Sequence, residues 1–184
     1  MEHIKHKQHI KVKQTFEESI CVYKLEENNE ELKEVIYTRG DEMKSSTNIK
    51  ALMTHYMTFD APFKKLGDDI LKCLPDFCNK SSDTNDLYHK SQPHIENMWG
   101  AIYKGNGVDH TVPHRHLPFF CAFCYYVEAP TNCAPLVFPN TFGKYKIHPE
   151  QGDLIMFPAY LMHSVPKAVH DGERIIIAGN IRLQ

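Results

Sequence analysis

The second half of this 184-residue chain is a series of short apolar segments separated by turn-forming residues. Each segment is rich in β-branched and aromatic residues and is bounded by Gly, Pro or Asn, a pattern typical of antiparallel strands. Seven segments fit this description: 95–103, 118–127, 135–138, 144–147, 153–157, 162–165 and 174–183. A chain with this pattern is predicted to form a sandwich or a closed barrel of short strands.

The first 90 residues have a mixed pattern. Apolar residues recur at helical spacing over 60–74, where Asp60 can cap the first turn and Pro75 is expected to end the helix. A second helix is predicted near 48–56, and two segments are strand-like: 10–16 and 19–25.

We therefore expect one domain over 1–184. In it, a mixed strand and helix region, residues 1–90, packs on a mostly β core, residues 91–184, which has the double-stranded β-helix (jelly-roll, cupin-like) architecture and carries any metal site.

Composition gives no support to several classes of protein. The 21 basic and 23 acidic side chains give a net charge of −2, which offers no basic footprint for nucleic acid. No apolar run approaches the roughly 20 residues of a membrane helix, and the polar N-terminus does not resemble a signal peptide, so a cytoplasmic protein without a membrane partner is expected.

The six cysteines are then expected to stay reduced. Cys121 and Cys124 lie three apart on a predicted strand, point to opposite faces, and are interpreted as packing thiols.

Two histidines have a spacing that suits a shared metal ion. His114 and His116 lie two residues apart beside Pro113, and positions i and i+2 of an extended segment project from one face. His163 lies on a later strand-like segment and can supply a third ligand. His110 is a competing ligand, but its four-residue spacing from His114 converges only on a helix, which Pro113 disfavours. Without the third histidine, surface histidines beside a turn would be the simpler interpretation.

Arg174 opens an apolar strand, where an unpaired charge is costly. The acidic residues nearest in sequence, Asp171 and Glu173, lie in a tight turn and are expected to face water. A bound ligand carboxylate is therefore a candidate partner for Arg174. The alternative is an arginine at a strand edge that is solvated or paired within the fold.

The stretch 99–180 resembles the small 2-oxoglutarate- and iron(II)-dependent oxygenases of bacteria and phages, which are relatives of prolyl 4-hydroxylase. The residues that match this family's pattern, in order, are Trp99, His114, His116, Pro118, Tyr125, Tyr126, Val127, Gly152, Asp153, Phe157, Pro158, His163, Val165, Pro166, Arg174 and Asn180. The resemblance implies a jelly-roll oxygenase that uses iron(II), 2-oxoglutarate and molecular oxygen to hydroxylate a small-molecule or peptidyl substrate.

The same resemblance implies the site residues. His114, His116 and His163 would hold the iron, and Arg174 would bind the distal carboxylate of 2-oxoglutarate. Tyr103 and Tyr125 are candidate hydroxyl donors to that carboxylate, and Asn180 is a further candidate for cofactor binding. Loops such as 79–92 and 131–141 are expected to choose the substrate.

The chain departs from the pattern at two places. His116 stands where most of the superfamily has Asp or Glu. The second departure is near the cosubstrate, where Ala122-Phe123-Cys124 replaces the usual Ser-Gly-Val and Ile176 stands at a usually polar position two residues after the arginine. Three neutral ligands are also found in cupin-type dioxygenases that do not use 2-oxoglutarate. Two alternatives therefore stand beside the oxygenase: a three-histidine dioxygenase of that kind, and a noncatalytic barrel that binds zinc or no metal.

Overall fold

A computed structural model describes residues 19–39, 47–56, 61–80, 88, 91–140 and 143–184. The two described helices are α1 (Asn29–Arg39) and α2 (Ala61–Lys80). The described strands are β1 (Cys21–Lys24), β2 (Ile49–Lys50), β3 (Leu52–Met53), β4 (Pro93–Tyr103), β5 (His110–His114), β6 (Cys121–Glu128), β7 (Leu136–Asn140), β8 (Gly143–Ile147), β9 (Asp153–Pro158), β10 (His163–Val165) and β11 (Arg174–Leu183).

The strands form two antiparallel sheets. One sheet has the order β1-β9-β6-β11-β4-β3 and the other has the order β2-β5-β10-β7-β8. Apolar side chains of both sheets meet in a shared core, with Phe157 from the first sheet and Phe138 from the second at 5.1 Å between ring centroids. The predicted mostly β, jelly-roll fold is confirmed, although the pairing of the described strands gives two facing sheets and not a closed ring of hydrogen bonds.

The helices cover the outer face of the six-stranded sheet. Leu32 and Ile36 of α1 and the apolar side of α2 join the side chains that β4, β6, β9 and β11 point away from the other sheet. The long strands β6 and β11 are therefore buried on both faces, which explains why they are continuous apolar runs in the sequence. No helix in the described ranges combines the length and apolarity that crossing a membrane requires.

Several elements predicted from the sequence near the helices differ from those in the structure. The helix expected over 48–56 is wrong, because this stretch forms β2 and β3, which pair with β5 and β4. Pro75 does not end α2, which runs to Lys80 because Phe77 and Cys78 remain buried against the sheet. The helix α1 was not predicted. The strand expected over 10–16 and the cap at Asp60 lie outside the described residues.

All six cysteines are free thiols. Cys121 belongs to the core under the helices and Cys124 to the core between the sheets, as the alternation along β6 predicts. Neither belongs to the described cluster of candidate metal ligands, and Cys124 is part of the apolar wall around it.

Candidate metal centre

Side chains on one face of β11 line the candidate site from end to end. Residues 174, 176, 178 and 180 point into the space between the sheets, because alternate residues of a strand share a face. Arg174 lies at one end of this row and Asn180 at the other, roughly 20 Å apart along an extended strand. Since β11 is hydrogen-bonded to β4 and β6, its side chains have fixed positions relative to both neighbours.

The second sheet supplies two histidines from directly opposed positions. His163 on β10 is the register partner of His114 on β5, and their ring centroids lie 4.3 Å apart. His163 is buried, and His114 is half-buried. The pairing of two short strands thus places two imidazoles side by side, facing the row on β11.

His116 comes from the segment that follows β5. Its backbone N–H donates to the carbonyl of Ala159 at 2.8 Å, and its own carbonyl accepts from Phe119 at 3.0 Å. These two bonds hold the segment in place, and the ring turns back so that Nε2 lies 3.1 Å from Nε2 of His114 and 3.1 Å from Nε2 of His163. The structure therefore brings the three predicted metal ligands together.

The hydrogen bonds of these rings leave nitrogen lone pairs in a position that suits a cation. Nδ1 of His114 donates to the carbonyl of Val112 at 2.9 Å, and Nδ1 of His163 donates to the carbonyl of Leu161 at 3.0 Å. In a neutral imidazole the other nitrogen then carries a lone pair, so unprotonated Nε2 atoms face one another at short range. Two nitrogens that each lie about 2.1 Å from one ion, with roughly a right angle between the two bonds, are about 3 Å apart. The observed separation of 3.1 Å is close to this spacing. The residues present fit a divalent metal ion.

Burial keeps the three rings neutral. Burial, together with the charge of the neighbouring histidines, lowers the pKa of His163 to about 3 and that of His116 to about 4. The pKa of His114 is also lowered by burial. Neutral imidazole is the form that coordinates metals, so the site is ready to bind at neutral pH.

At the other end of the row, the fully buried guanidinium of Arg174 lies between two aromatic rings. Its Cζ is 4.6 Å from the centroid of Tyr103 and 5.0 Å from that of Tyr126, and Nη2 donates to the Tyr126 hydroxyl at 3.1 Å. Nε and Nη1 have no hydrogen-bond partner among the residues that the structure describes. No described carboxylate pairs with Arg174, and neighbouring Glu173 accepts a hydrogen bond from Tyr37. A buried cation without an anion is costly, so this end of the cavity suits an anionic ligand.

A cavity connects the arginine with the histidines. Apolar side chains form most of its wall, and the polar groups that face it are few: Tyr103, Thr111, Arg174 and the three histidines. The Tyr103 hydroxyl lies 2.7 Å from Oγ1 of Thr111, and burial raises the pKa of Tyr103, which keeps its proton at neutral pH. The cavity thus has a cationic end with hydroxyl groups, an apolar middle and a metal-binding end.

Some predicted site residues lie elsewhere. Tyr125 points to the helix side of β6, where its hydroxyl donates to Asn29 at 2.7 Å, and Tyr126 is the neighbour of Arg174 instead. Asn180 does not face the arginine end and lies beside His116. His110 donates from Nδ1 to the Val108 carbonyl and is outside the histidine cluster. Thr111 was not predicted.

A second cleft, of about 250 Å³, is lined by His114 and His116 but not by Arg174. Its wall includes Trp99, which stacks on His116 with ring centroids 6.2 Å apart and planes inclined by 19°. Tyr56 packs on the other side of Trp99, and exposed Arg115 lies at the rim. His114 and His116 therefore border both the cavity that holds Arg174 and this cleft.

Known proteins resemble this chain in sequence over a short stretch and in fold over most of its length. Residues 139–180 match the family described as "Putative 2OG-Fe(II) oxygenase". A Pseudomonas putida prolyl 4-hydroxylase has 11% identity and a TM-score of 0.67, covering 91% of this chain and 94% of that one. No curated protein sequence matches.

Two further solved structures share the fold. A viral collagen prolyl hydroxylase from Paramecium bursaria Chlorella virus 1, in complex with 2-oxoglutarate, has 19% identity and a TM-score of 0.61, covering 88% of this chain and 94% of that one. HygX from Streptomyces hygroscopicus, with nickel and 2-oxoglutarate bound, has 10% identity and a TM-score of 0.65, covering 90% and 83%. With the family match, these likenesses confirm the resemblance that the sequence predicts.

Proposed function

We propose that this protein is an iron(II)-dependent oxygenase that couples the oxidative decarboxylation of 2-oxoglutarate to the hydroxylation of an organic substrate. In the balanced reaction, substrate, 2-oxoglutarate and dioxygen give hydroxylated substrate, succinate and carbon dioxide. The observation that carries the proposal is the buried, anion-free guanidinium of Arg174, which shares a cavity with three converging histidines.

Each group in the site has a separate task in this proposal. His114, His116 and His163 hold the iron, which when bound supplies the redox chemistry with dioxygen. Arg174 binds the distal carboxylate of 2-oxoglutarate, and the hydroxyl group of Tyr103 adds a donor. The apolar wall between them excludes water.

The substrate belongs in the cleft beside Trp99. We infer this because His114 and His116 line the cleft and Arg174 does not, so that a substrate there leaves the arginine end of the cavity to the cosubstrate. Either a small molecule or a peptide segment suits an open cleft of this kind. The six free thiols suit a reducing compartment such as the cytoplasm.

The test uses metal-loaded protein prepared without air. 2-Oxoglutarate is titrated into the iron(II) form, binding is followed by calorimetry and by the charge-transfer absorption of the complex, and succinate is quantified after air is admitted. Binding and succinate formation are expected with iron(II), and succinate is expected to be absent with zinc(II) or in His163→Ala.

The outcome that contradicts this proposal is metal-loaded protein that binds no 2-oxoglutarate. If such protein consumes dioxygen with another organic substrate, the three-histidine dioxygenase is correct. If it consumes none and retains zinc, the noncatalytic barrel is correct.

A further inference from the structure

His116 differs from the other two histidines in how its second ring nitrogen is held. His114 and His163 each donate from Nδ1 to a backbone carbonyl two residues earlier. Among the described residues, no carbonyl accepts a hydrogen bond from Nδ1 of His116. A metal-ligating histidine almost always has a partner for this nitrogen, because the partner fixes the tautomer and the ring orientation. The structure should therefore contain another acceptor for His116.

Asn180 is an acceptor of the required kind. Its Nδ2 donates to Oδ1 of Asn97 at 2.7 Å, whereas its own Oδ1 is buried and has no hydrogen-bond partner in the described part of the chain. Asn180 is 3% exposed and lines the same cleft as His116. The amide oxygen of Asn180 also raises the pKa of His116, against the larger lowering by burial. The unpaired Oδ1 of Asn180 thus lies beside the His116 ring, whose Nδ1 has no carbonyl partner.

The strands hold this amide firmly. Asn180 of β11 and Asn97 of β4 are register partners, and the pairing shifts by one residue immediately after them. Such a bulge re-aims side chains beside it. At Gly179 a Cβ atom would lie 2.5 Å from the Asn97 carbonyl oxygen and 2.5 Å from the Phe123 ring, so the backbone here is in close contact with its neighbours. Asn180 has little freedom to turn elsewhere.

We propose that Asn180 is a positioning residue that accepts a hydrogen bond from Nδ1–H of His116, while Asn97 orients the Asn180 amide for this role. The inference deepens the proposed function, because it concerns the ligand that replaces the usual carboxylate. An amide oxygen carries no charge and cannot take up a proton. His116 is thereby kept as a neutral ligand with its lone pair on Nε2, facing the other two rings.

The first experiment measures the tautomer directly in metal-free protein. Long-range proton–nitrogen NMR of protein with ¹⁵N-labelled histidine is recorded at neutral pH, and the His116 signals are assigned by their loss in His116→Gln. In the wild type, His116 is expected to carry its proton on Nδ1. In Asn180→Ala it is expected to shift to Nε2–H, the form that an isolated imidazole side chain favours. His114 and His163 are expected to stay unchanged.

Two other variants make the result specific. Asn180→Asp keeps an acceptor oxygen and is expected to restore the Nδ1–H form. Asn97→Ala removes only the anchor of the amide and is expected to give a mixture of the two tautomers, which also provides a test if Asn180→Ala does not fold. Thr54→Val is the matched control, because Thr54 is a fully buried polar residue that bonds the backbone of Gly100 and lies outside the site. It should leave the tautomer of His116 unchanged.

Metal affinity provides the second measurement. Cobalt(II) binding, followed by calorimetry, is expected to weaken about 10- to 100-fold in Asn180→Ala, and to change less than threefold in Thr54→Val. The proposal is overturned if folded Asn180→Ala keeps the wild-type tautomer of His116, or if Asn180→Asp behaves like Asn180→Ala. Neither measurement uses 2-oxoglutarate or dioxygen. A failure of the proposed oxygenase reaction would therefore not contradict the role of Asn180, and a failure of the Asn180 proposal would not contradict the oxygenase reaction.

Discussion

At the scale of single residues, the role proposed for Arg174 gives the most direct prediction. Replacing it by Ala is expected to weaken 2-oxoglutarate binding to the metal-loaded protein by more than tenfold and to leave metal affinity almost unchanged. Loss of a charge-assisted pair in a water-excluded site costs about 2–5 kcal/mol, because the ligand carboxylate is left buried without its partner. Calorimetry with nickel(II) in place of iron measures both affinities.

Arg182 provides the matched control for this substitution. It lies on the same strand, is exposed, and forms an ion pair with Glu96 at 3.3 Å. Arg182→Ala should leave both affinities within about twofold, since an exposed pair contributes little. Equal 2-oxoglutarate affinity in wild type and Arg174→Ala would show that Arg174 has a purely structural role.

The buried histidines predict how stability depends on pH in the metal-free protein. Their pKa values fall from about 6.5 in the unfolded chain to about 4 for His116 and about 3 for His163 in the folded one. Between these values the unfolded state binds protons that the folded state does not. The free energy of unfolding should therefore be highest above pH 6.5 and should decrease as pH falls towards 4, by up to about 1.4 kcal/mol per pH unit for each such histidine.

Urea unfolding at pH 7.5, 6 and 5 measures this slope. His163→Gln, which removes the most strongly shifted group, should have a shallower slope than the wild type. An unfolding free energy that is constant from pH 7.5 to 5 would contradict the neutral state assigned to these rings.

The sequence predicts the chemistry of site residues better than their positions. The three histidines and Arg174 could be singled out because metal ligands and a charge on an apolar strand are unusual residue types for their surroundings. The choice between Tyr125 and Tyr126 could not be made in the same way, because a one-residue difference in register exchanges the two faces of a strand. Thr111 carries no sequence signal, since a threonine on a strand is common.

At the scale of elements, the contact between α1 and β4 can be tested by a double-mutant cycle. A Cβ atom added at Gly100 would lie 2.6 Å from Cγ1 of Ile36, and its other two nearest atoms also belong to Ile36. Gly100→Ala is therefore expected to cost about 1–3 kcal/mol by overpacking, and Ile36→Ala about 2–5 kcal/mol by leaving a cavity. The double variant should cost clearly less than the sum, because each change makes room for the other.

Urea unfolding of the four proteins in this cycle gives the coupling energy. Strictly additive costs would mean that α1 does not pack on β4 as described. Phe77→Leu in α2, which is buried on the same side of the sheet, is the control whose cost should add to that of Gly100→Ala.

Element prediction succeeded where local pattern and tertiary environment agree. The seven strands expected after residue 90 all occur, because each alternates or is continuously apolar between turn residues. The strand β5 was missed, since His110–His114 contains a proline and few apolar residues. Its strand conformation comes from pairing with β2 and β10, which are distant in sequence. The helix α1 is polar on most positions and is held by two buried side chains, so its amphipathic signal is weak.

At the scale of the whole molecule, the N-terminal segments complete the sheets of the C-terminal half. Strands β1, β2 and β3 pair with β9, β5 and β4, and both helices cover the six-stranded sheet. We therefore propose that 1–184 behaves as one folding unit. Unfolding in urea is expected to show a single transition that coincides for far-ultraviolet circular dichroism and for tyrosine absorbance. Two separated transitions would divide the chain into independently folding regions.

The fold class was predictable because only a few architectures accommodate many short antiparallel strands. The order of strands within each sheet was not predictable, because β11 lies between β6 and β4 through contacts that join residues more than 45 positions apart.

The fluorescence of Trp99 can report on metal binding at the proposed site. It is the only tryptophan in the chain, and its ring stacks on His116 at 6.2 Å. A paramagnetic ion such as nickel(II) or cobalt(II) held by His116 should quench its emission strongly, whereas zinc(II), with a filled d shell, should change it little. Titrating each ion while recording indole fluorescence would show this contrast, and equal responses to nickel and zinc would contradict it. Metal occupancy could then be followed in the unlabelled protein, without a chelating dye or any enzymatic turnover.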